Sequence, residues 1–384
     1  MTVADADAVR RAVEAVVDPE LRRPIGELDM VRDISVDAEV AHVGIVLTIV
    51  GCPASDRISR EVTAAAASVA GISDVALEVG VMSPDERRAL TDRLRGGRAA
   101  REMPFGPGTL TRVIAVTSGK GGVGKSTVTA NLAVALAARG LSVGLIDADV
   151  HGFSIPGLLG LVGADGSAPQ PTRIDDLMLP PVAHGVKVIS IGMFLRRTGG
   201  DAPLGAVAWR GPMLHRTVQQ FLTDVYFGDL DVLLIDMPPG TGDVAISVGQ
   251  LLPNADVVVV TTPQVAASDI AVRSGLVARQ TGQRIAGVVE NMAAMTLPDG
   301  SQLALFGAGG GAAVAAALSE PPDQVPLLAS IPLSAALRED ADAGIPSVLA
   351  HPDDVASTAI EGLATALTAT PRGLSGRPLP FRPR

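Results

Sequence analysis

Four stretches of the chain carry residue types and spacings suited to phosphate and metal-ion chemistry. The first is Gly119-Lys120-Gly121-Gly122-Val123-Gly124-Lys125-Ser126, followed by Thr127. It satisfies GxxxxGK[ST] and lies between an apolar run (112–117, RVIAVT) and a helix-compatible stretch. Glycines let successive backbone N–H groups turn inward on phosphate oxygens. The helix beginning near Lys125 adds the positive end of its dipole. Lys125 is placed for the β and γ phosphates, Ser126 for a magnesium ion, and Thr127 for the α phosphate. Lys120 is a second, early lysine in the same loop. A cation there can neutralise charge as a γ-phosphoryl group departs.

The other three stretches follow in chain order. The run 142–147 ends in Asp147-Ala148-Asp149, carboxylates at the end of a strand, where they can position water or magnesium. The run Asp231-Val-Leu-Leu-Ile-Asp236 is the Walker B pattern, with Asp236 holding magnesium through water. It continues into Met237-Pro238-Pro239-Gly240-Thr241-Gly242-Asp243, a glycine-hinged loop. Gly240 is placed to offer its N–H to a γ phosphate and to sense its loss. Asp243 reads equally as a switch residue and as a helix N-cap. The run 285–290 leads to Asn291, whose carboxamide both donates and accepts and so can pair with an adenine edge. Ser330-Ile331-Pro332-Leu333 follows another short strand and could line the base. No guanine-reading NKxD is present, which favours ATP over GTP. ATP and Mg2+ are therefore the expected ligands. His151 reads as a loop residue.

These residues need a scaffold, and the patterning supplies one. Strand-like runs at 112–117, 142–147, 186–191, 231–236, 255–261 and 285–290 alternate with helical stretches. Several runs are apolar without alternation, as strands are when both sheet faces are covered. The expectation is a mostly parallel α/β domain over 110–370. A small α+β unit over 1–94 precedes it, with helices at 7–17, 55–70 and 84–94 and strands at 31–37, 43–49 and 75–79. The Gly-, Pro- and Arg-rich stretch 95–109 reads as a linker, and 371–384 as a disordered tail.

Composition bounds the rest. The 384 residues are 47% apolar with a net charge of −10, which argues against broad nucleic-acid binding. No 18-residue apolar run suggests a membrane span, and the first residues lack the apolar core of a signal peptide. A reducing, cytoplasmic setting fits the single cysteine, Cys52. That residue sits between a strand and a helix, where a helix N-terminus could lower its pKa.

SGKGGVGKST, DADVHGFSIP, WRGPML, IDMPPGTGD and ENM followed by FGAGGG resemble the Mrp/Nbp35 (ApbC-like) family over about 110–345. These are P-loop ATPases of the SIMIBI class with a deviant Walker A, and many carry iron–sulfur clusters to apoproteins. VDPEL near residue 18 and GCP at 51 resemble a MIP18-like (DUF59) domain. The resemblance implies a homodimer with nucleotide at the interface, and iron–sulfur donors and apoprotein clients as partners. It implies that Lys120 reaches the partner's nucleotide; a same-chain phosphate contact is the alternative. Lys120, Lys125 and Asp149 become the catalytic set, with Asp149 orienting the attacking water and Asp147 supporting the metal's water shell. The family's CxxC, which holds a bridging [4Fe–4S] cluster, falls at about Leu297 and Gly300, so that site is absent. Met292 and Met295 are weak substitutes. Cys52 has two readings: contact with a labile cluster or a client, or a small cysteine without chemistry. The Trp209–Pro212 segment reads as structural or interfacial.

Three functions follow. The first is an ATP-dependent iron–sulfur cluster carrier. The second is an ATP-driven chaperone or metallochaperone that holds no cluster itself. The third is a MinD/ParA-like positioning ATPase, disfavoured by the acidic charge and by a terminal helix without Lys or Arg.

Overall fold

The computed structural model describes residues 5–49, 52–97, 102–106, 108–150, 152–194, 211–297 and 299–369. His151, Trp209, Arg210, residues 98–101 and 107 of the linker, and the tail 371–384 lie outside the described residues. The chain forms two compact units.

The first unit comprises Met1–Glu102 with two later segments, Pro171–Val182 and Asp224–Gly228. Its sheet has the order Val31–Asp37, Val40–Leu47, Asp74–Val81, the first pair antiparallel and the second parallel. Helix Ala6–Glu14 is capped by the Asp5 carboxylate, which accepts from the Asp7 N–H. Helix Ser55–Ala67 turns Ile58, Val62 and Ala66 to the core. Helix Pro84–Arg95 has a Ser83/Glu86 capping box at its start and Gly96 in a left-handed conformation at its end. Asp18 ends the first helical region as a turn, its carboxylate accepting from the N–H groups of Glu20 and Leu21 at 2.8 Å each. Residues 171–182 and 224–228, which patterning alone leaves in the α/β segment, instead group with this unit. They supply an antiparallel hairpin, Thr172–Ile174 with Leu177–Leu179. Ile174, Leu177, Leu179 and Tyr226 join the same buried core as Val13, Ile45, Ile58 and Leu90. Burying each of those three aliphatic side chains is worth about 1.5–3 kcal/mol. Arg95 pairs with Asp176 at 2.8 Å at the hairpin's turn.

The second unit holds an eight-stranded sheet, seven of whose strands pair in parallel in the order Leu327–Pro332, Arg284–Ala293, Asp256–Thr261, Arg112–Ser118, Val232–Asp236, Val143–Asp147, Val186–Ser190. Strands Arg112–Ser118, Val143–Asp147, Val232–Asp236 and Asp256–Thr261 are buried throughout, as their unbroken apolar runs predict. The glycine-rich strand-to-helix loop leaves the middle of this sheet at its carboxyl edge, where open α/β sheets bind ligands. Register does the positioning. Asp236 stands opposite Asp147, and Asp147 opposite Ser190, so three polar ends share one row. A second row holds Thr261, Glu290 and Ser330. No helix among the described residues is long and apolar enough to cross a membrane.

Candidate functional site

Strand Arg112–Ser118 delivers the loop, and helix Lys125–Ala138 begins at Lys125 with Gly124 at its N-cap. Gly124 has φ 77, and a Cβ there would stand 2.2 Å from Asn291 Nδ2, so only glycine fits. The N-cap has no side-chain hydrogen bond, which leaves the first N–H groups of the helix for a ligand.

Lys125 is 5% exposed and its Nζ donates to Asp236 Oδ2 at 2.7 Å and lies 3.8 Å from Asp149 Oδ2. Ser126 Oγ donates to the same Asp236 oxygen at 2.6 Å. Thr129 Oγ1 donates to the other oxygen at 2.9 Å. Asp236 has no exposed surface, and Lys125, Ser126 and Thr129, all on the loop's helix, donate to its carboxylate. Its burial pushes its pKa up, and Lys125, Ser126 and Thr129 counter that. Asp147 lies well above the usual carboxylate range, first because it is buried and then because Asp236 is beside it. Asp147 accepts from Ser190 Oγ at 2.8 Å and from the Asp149 N–H at 3.2 Å. Asp149 accepts from the Gly152 N–H at 3.0 Å. Two carboxylates, a hydroxyl and an ammonium therefore converge on one point, a donor set suited to a hydrated magnesium ion beside a polyphosphate.

Two cavities meet at the loop. One of about 340 Å3 is lined by Lys120, the 121–127 segment, Asp149 and Pro239. The other, about 1430 Å3, shares Gly124, Thr127 and Ser154 with it and has largely apolar walls, including Phe153, Met292, Phe306, Pro332 and Leu333. Polar groups at one end and an apolar slot at the other suit a nucleotide. Asn291 and Pro332 both line the larger cavity. Met292 sits at φ 57 where the strand register shifts between Asn291 and Ala293. That bulge aims Asn291 at the loop, where its Nδ2 donates to the Val123 carbonyl at 2.9 Å.

Three expectations change. The Gly240 N–H is engaged here, donating to the Ser118 carbonyl at 2.7 Å. Gly242 is the N-cap of helix Asp243–Leu251, so Asp243 is an exposed first-turn residue. Cys52 does not have a lowered pKa. It is 5% exposed, and burial pushes its thiol up to about 12, with Glu20 and Asp18 adding to the shift. The Ala54 N–H opposes this and loses. Cys52 Sγ donates to Glu20 Oε2 at 3.5 Å, and Thr172 Oγ1 from the hairpin donates to Glu20 Oε1 at 2.5 Å. Lys120 Nζ donates to Gln264 Oε1 at 3.0 Å.

Leu297 and Gly300 form a closed turn, with the Leu297 N–H donating to the Ser301 carbonyl at 2.8 Å and the Gly300 N–H to the Leu297 carbonyl at 2.9 Å. Met295 lies in the larger cavity wall. Among the described residues no group of three or more His, Cys, Asp and Glu is placed to hold a metal ion by itself. Sequence reading missed Thr129, Ser190 and Gln264. Only Thr129 left a signal, one helical turn after Lys125.

The descriptions of two families match the chain: "NUBPL iron-transfer P-loop NTPase" over residues 109–368 and "Iron-sulfur cluster assembly protein" over residues 6–79. The chain belongs to the NUBPL iron-transfer P-loop NTPase family. It is 53% identical to an iron–sulfur cluster carrier protein of Mycobacterium tuberculosis, over 98% of this chain and 96% of that protein. It is 41% identical to one of Deinococcus radiodurans, over 94% of each. Among solved structures it is similar to a nucleotide-binding protein of Archaeoglobus fulgidus in complex with ADP, at 36% identity and TM-score 0.50, covering 61% of this chain and 87% of that one. The α/β P-loop architecture with a small N-terminal unit, expected from patterning, is the one observed.

Proposed function

We propose that this chain is a cytoplasmic, ATP-hydrolysing carrier that delivers iron–sulfur clusters to apoproteins. The observation that carries the nucleotide half is the convergence of Lys125, Ser126 and Thr129 on Asp236. The cluster half is supported by family membership and by the names of the full-length relatives.

In this reading the N–H groups of Gly119–Thr127 cradle the phosphates, and Lys125 exchanges Asp236 for the β and γ phosphates. Ser126 and Asp236 hold Mg2+, with Asp147 supporting its water shell. That ion, when bound, neutralises charge on the β and γ oxygens. Asp149 orients the attacking water. Asn291 keeps its amide N–H on Val123 and turns its carbonyl oxygen to the adenine amino group, while Pro332 packs on the base. Gly240 changes partners from Ser118 to the γ phosphate. Lys120 crosses to the nucleotide of a second copy, so hydrolysis requires a homodimer, and the cycle of closure and reopening drives exchange with cluster donors and clients.

The cluster is cargo here. One cysteine per chain gives a dimer two thiolates, short of the four a [4Fe–4S] cluster takes, so donor or client supplies the remainder. The buried, protonated state of Cys52 favours a second reading, an ATP-driven maturation chaperone that holds no cluster itself. Phosphate release from MgATP, measured against protein concentration, tests the shared part. The expected rate per chain rises with concentration and is lost in Lys120→Ala. Concentration-independent hydrolysis that survives that substitution would contradict the dimer mechanism.

A further inference from the structure

The residues that hold Lys120 and Gly240 lie on one helix, Val265–Gln280 with Gln264 at its N-cap. Gln264 has extended backbone and makes no side-chain cap bond, so its carboxamide is available to accept from Lys120. The phosphate loop lies directly on the same helix: a Cβ on Gly119 would stand 2.4 Å from the Ala271 nitrogen. Further along, Ser274 is 4% exposed and its Oγ lies 3.3 Å from both the Ser118 and Gly240 carbonyls, sharing one proton between them. The Gly240 N–H already donates to Ser118. The switch loop is therefore closed onto the strand that feeds the phosphate loop, and its donor is not available to a γ phosphate.

We propose that helix Val265–Gln280 is a parking element for the catalytic loops. Gln264 and Ser274 are positioning residues that hold Lys120 and Gly240 off the nucleotide until a γ phosphate displaces them. This rests on the nucleotide reading above and goes beyond it. The chemistry of the two partners sets the balance. Gln264 offers the Lys120 ammonium a neutral acceptor, whereas a phosphate oxygen carries negative charge and adds Coulomb attraction to the same hydrogen bond. A phosphate therefore outcompetes it, whereas a carboxylate at that position would hold the lysine as an ion pair. A diphosphate lacks the group that Gly240 and Lys120 must reach, so parking opposes triphosphate binding alone.

Equilibrium titration of the full-length chain with fluorescent ADP and a fluorescent non-hydrolysable ATP analogue, each with magnesium, measures this as the ratio of the two affinities. Ser274→Ala and Gln264→Ala should each shift the ratio about 3- to 10-fold toward the triphosphate, the worth of one net hydrogen bond. Gln264→Glu should shift it the other way, and Ser274→Thr, which keeps the hydroxyl, should leave it within about 2-fold of the unaltered chain. Opposed shifts at one exposed residue are not what a loss of packing produces, so they decide the matter even where Ser274→Ala does not fold. Unchanged ratios, or Gln264→Ala and Gln264→Glu moving together, would overturn the proposal. A chain that binds both nucleotides and hydrolyses neither would defeat the hydrolysis reading and leave this ratio test in force.

Discussion

Two regions bury carboxylates, and they treat them differently. Around the phosphate loop, Asp236 is fully buried against Lys125, with two hydroxyls completing its bonds. Around Cys52, Asp18 is buried and Glu20 half-buried, and among the described residues no cation is a hydrogen-bond partner of either. Burial raises both carboxyls. Thr172 and Cys52 donate to Glu20, and backbone N–H groups donate to Asp18. A buried carboxylate is tolerated when paired and otherwise takes up a proton and becomes neutral. In the proposed function the first region exchanges an internal anion for a phosphate and metal ion. The second keeps a buried thiol protonated beside Glu20, which the hairpin's Thr172 also contacts.

The largest expected effect breaks the first side. Lys125→Ala should lower MgATP hydrolysis by about 10^3-fold, as loss of a preorganised cationic donor does. A residual rate within about 10-fold would remove Lys125 from the catalytic set.

Next comes the second side. A thiol raised from 9.0 to about 12 carries far less thiolate at pH 8. Alkylation of Cys52 in the folded chain should run about 10^2- to 10^3-fold slower than in the urea-unfolded chain, and Glu20→Gln should speed it. Reaction at the unfolded rate would show that the thiol is free. The same shift has a pH signature. The unfolded chain releases this proton from about pH 9 while the folded chain retains it to about 12, so stability falls as pH climbs through that window.

A smaller effect tests the hairpin. Thr172→Val removes the hydroxyl from Glu20 and should cost about 1–2 kcal/mol in urea unfolding while leaving nucleotide affinity alone. No change would mean Glu20 is held otherwise.

The smallest effect is a surface control. His351 Nδ1 lies 2.8 Å from Asp340 Oδ2; the pair raises the His351 pKa above 6.5. Asp340 is lowered below 3.8: its burial acts upward, and His351 and Ser347 together outweigh that. The contribution of His351 is complete below pH 6.5 and disappears as pH rises through its folded pKa. That of Asp340 is present above pH 3.8 and disappears as pH falls through its own. His351→Gln should flatten the pH dependence of melting temperature above pH 6.5 and below pH 3.8, where the pair is lost, and lower the melting temperature evenly in between, without touching either buried region.

What was legible in the sequence follows from what is local. Glycine spacing, apolar runs ending in aspartate and capping residues are short-range signals, and the P-loop, Asp147 and Asp236 could be placed from them. Side-by-side register of Asp236, Asp147 and Ser190 depends on strand order across the sheet, so Ser190 stayed invisible. The hairpin around Thr172 packs with residues more than a hundred positions earlier, and its pattern gave no hint of that partner. The Cys52 environment was misread because proximity to a helix start was visible, while burial beside Asp18 and Glu20 was not. Gly240 and Asn291 are visible at the ends of their motifs, but the bonds they make here depend on the bulge at Met292 and on Ser118.

The most direct test of the carrier claim is anaerobic loading of the purified chain with iron and sulfide, followed by transfer to an apoprotein with and without MgATP, alongside Cys52→Ala. Bound cluster should move to the apoprotein at a rate that depends on MgATP and an intact Lys125. No bound iron and sulfide and no transfer, with hydrolysis intact, would contradict it and leave a nucleotide-driven chaperone.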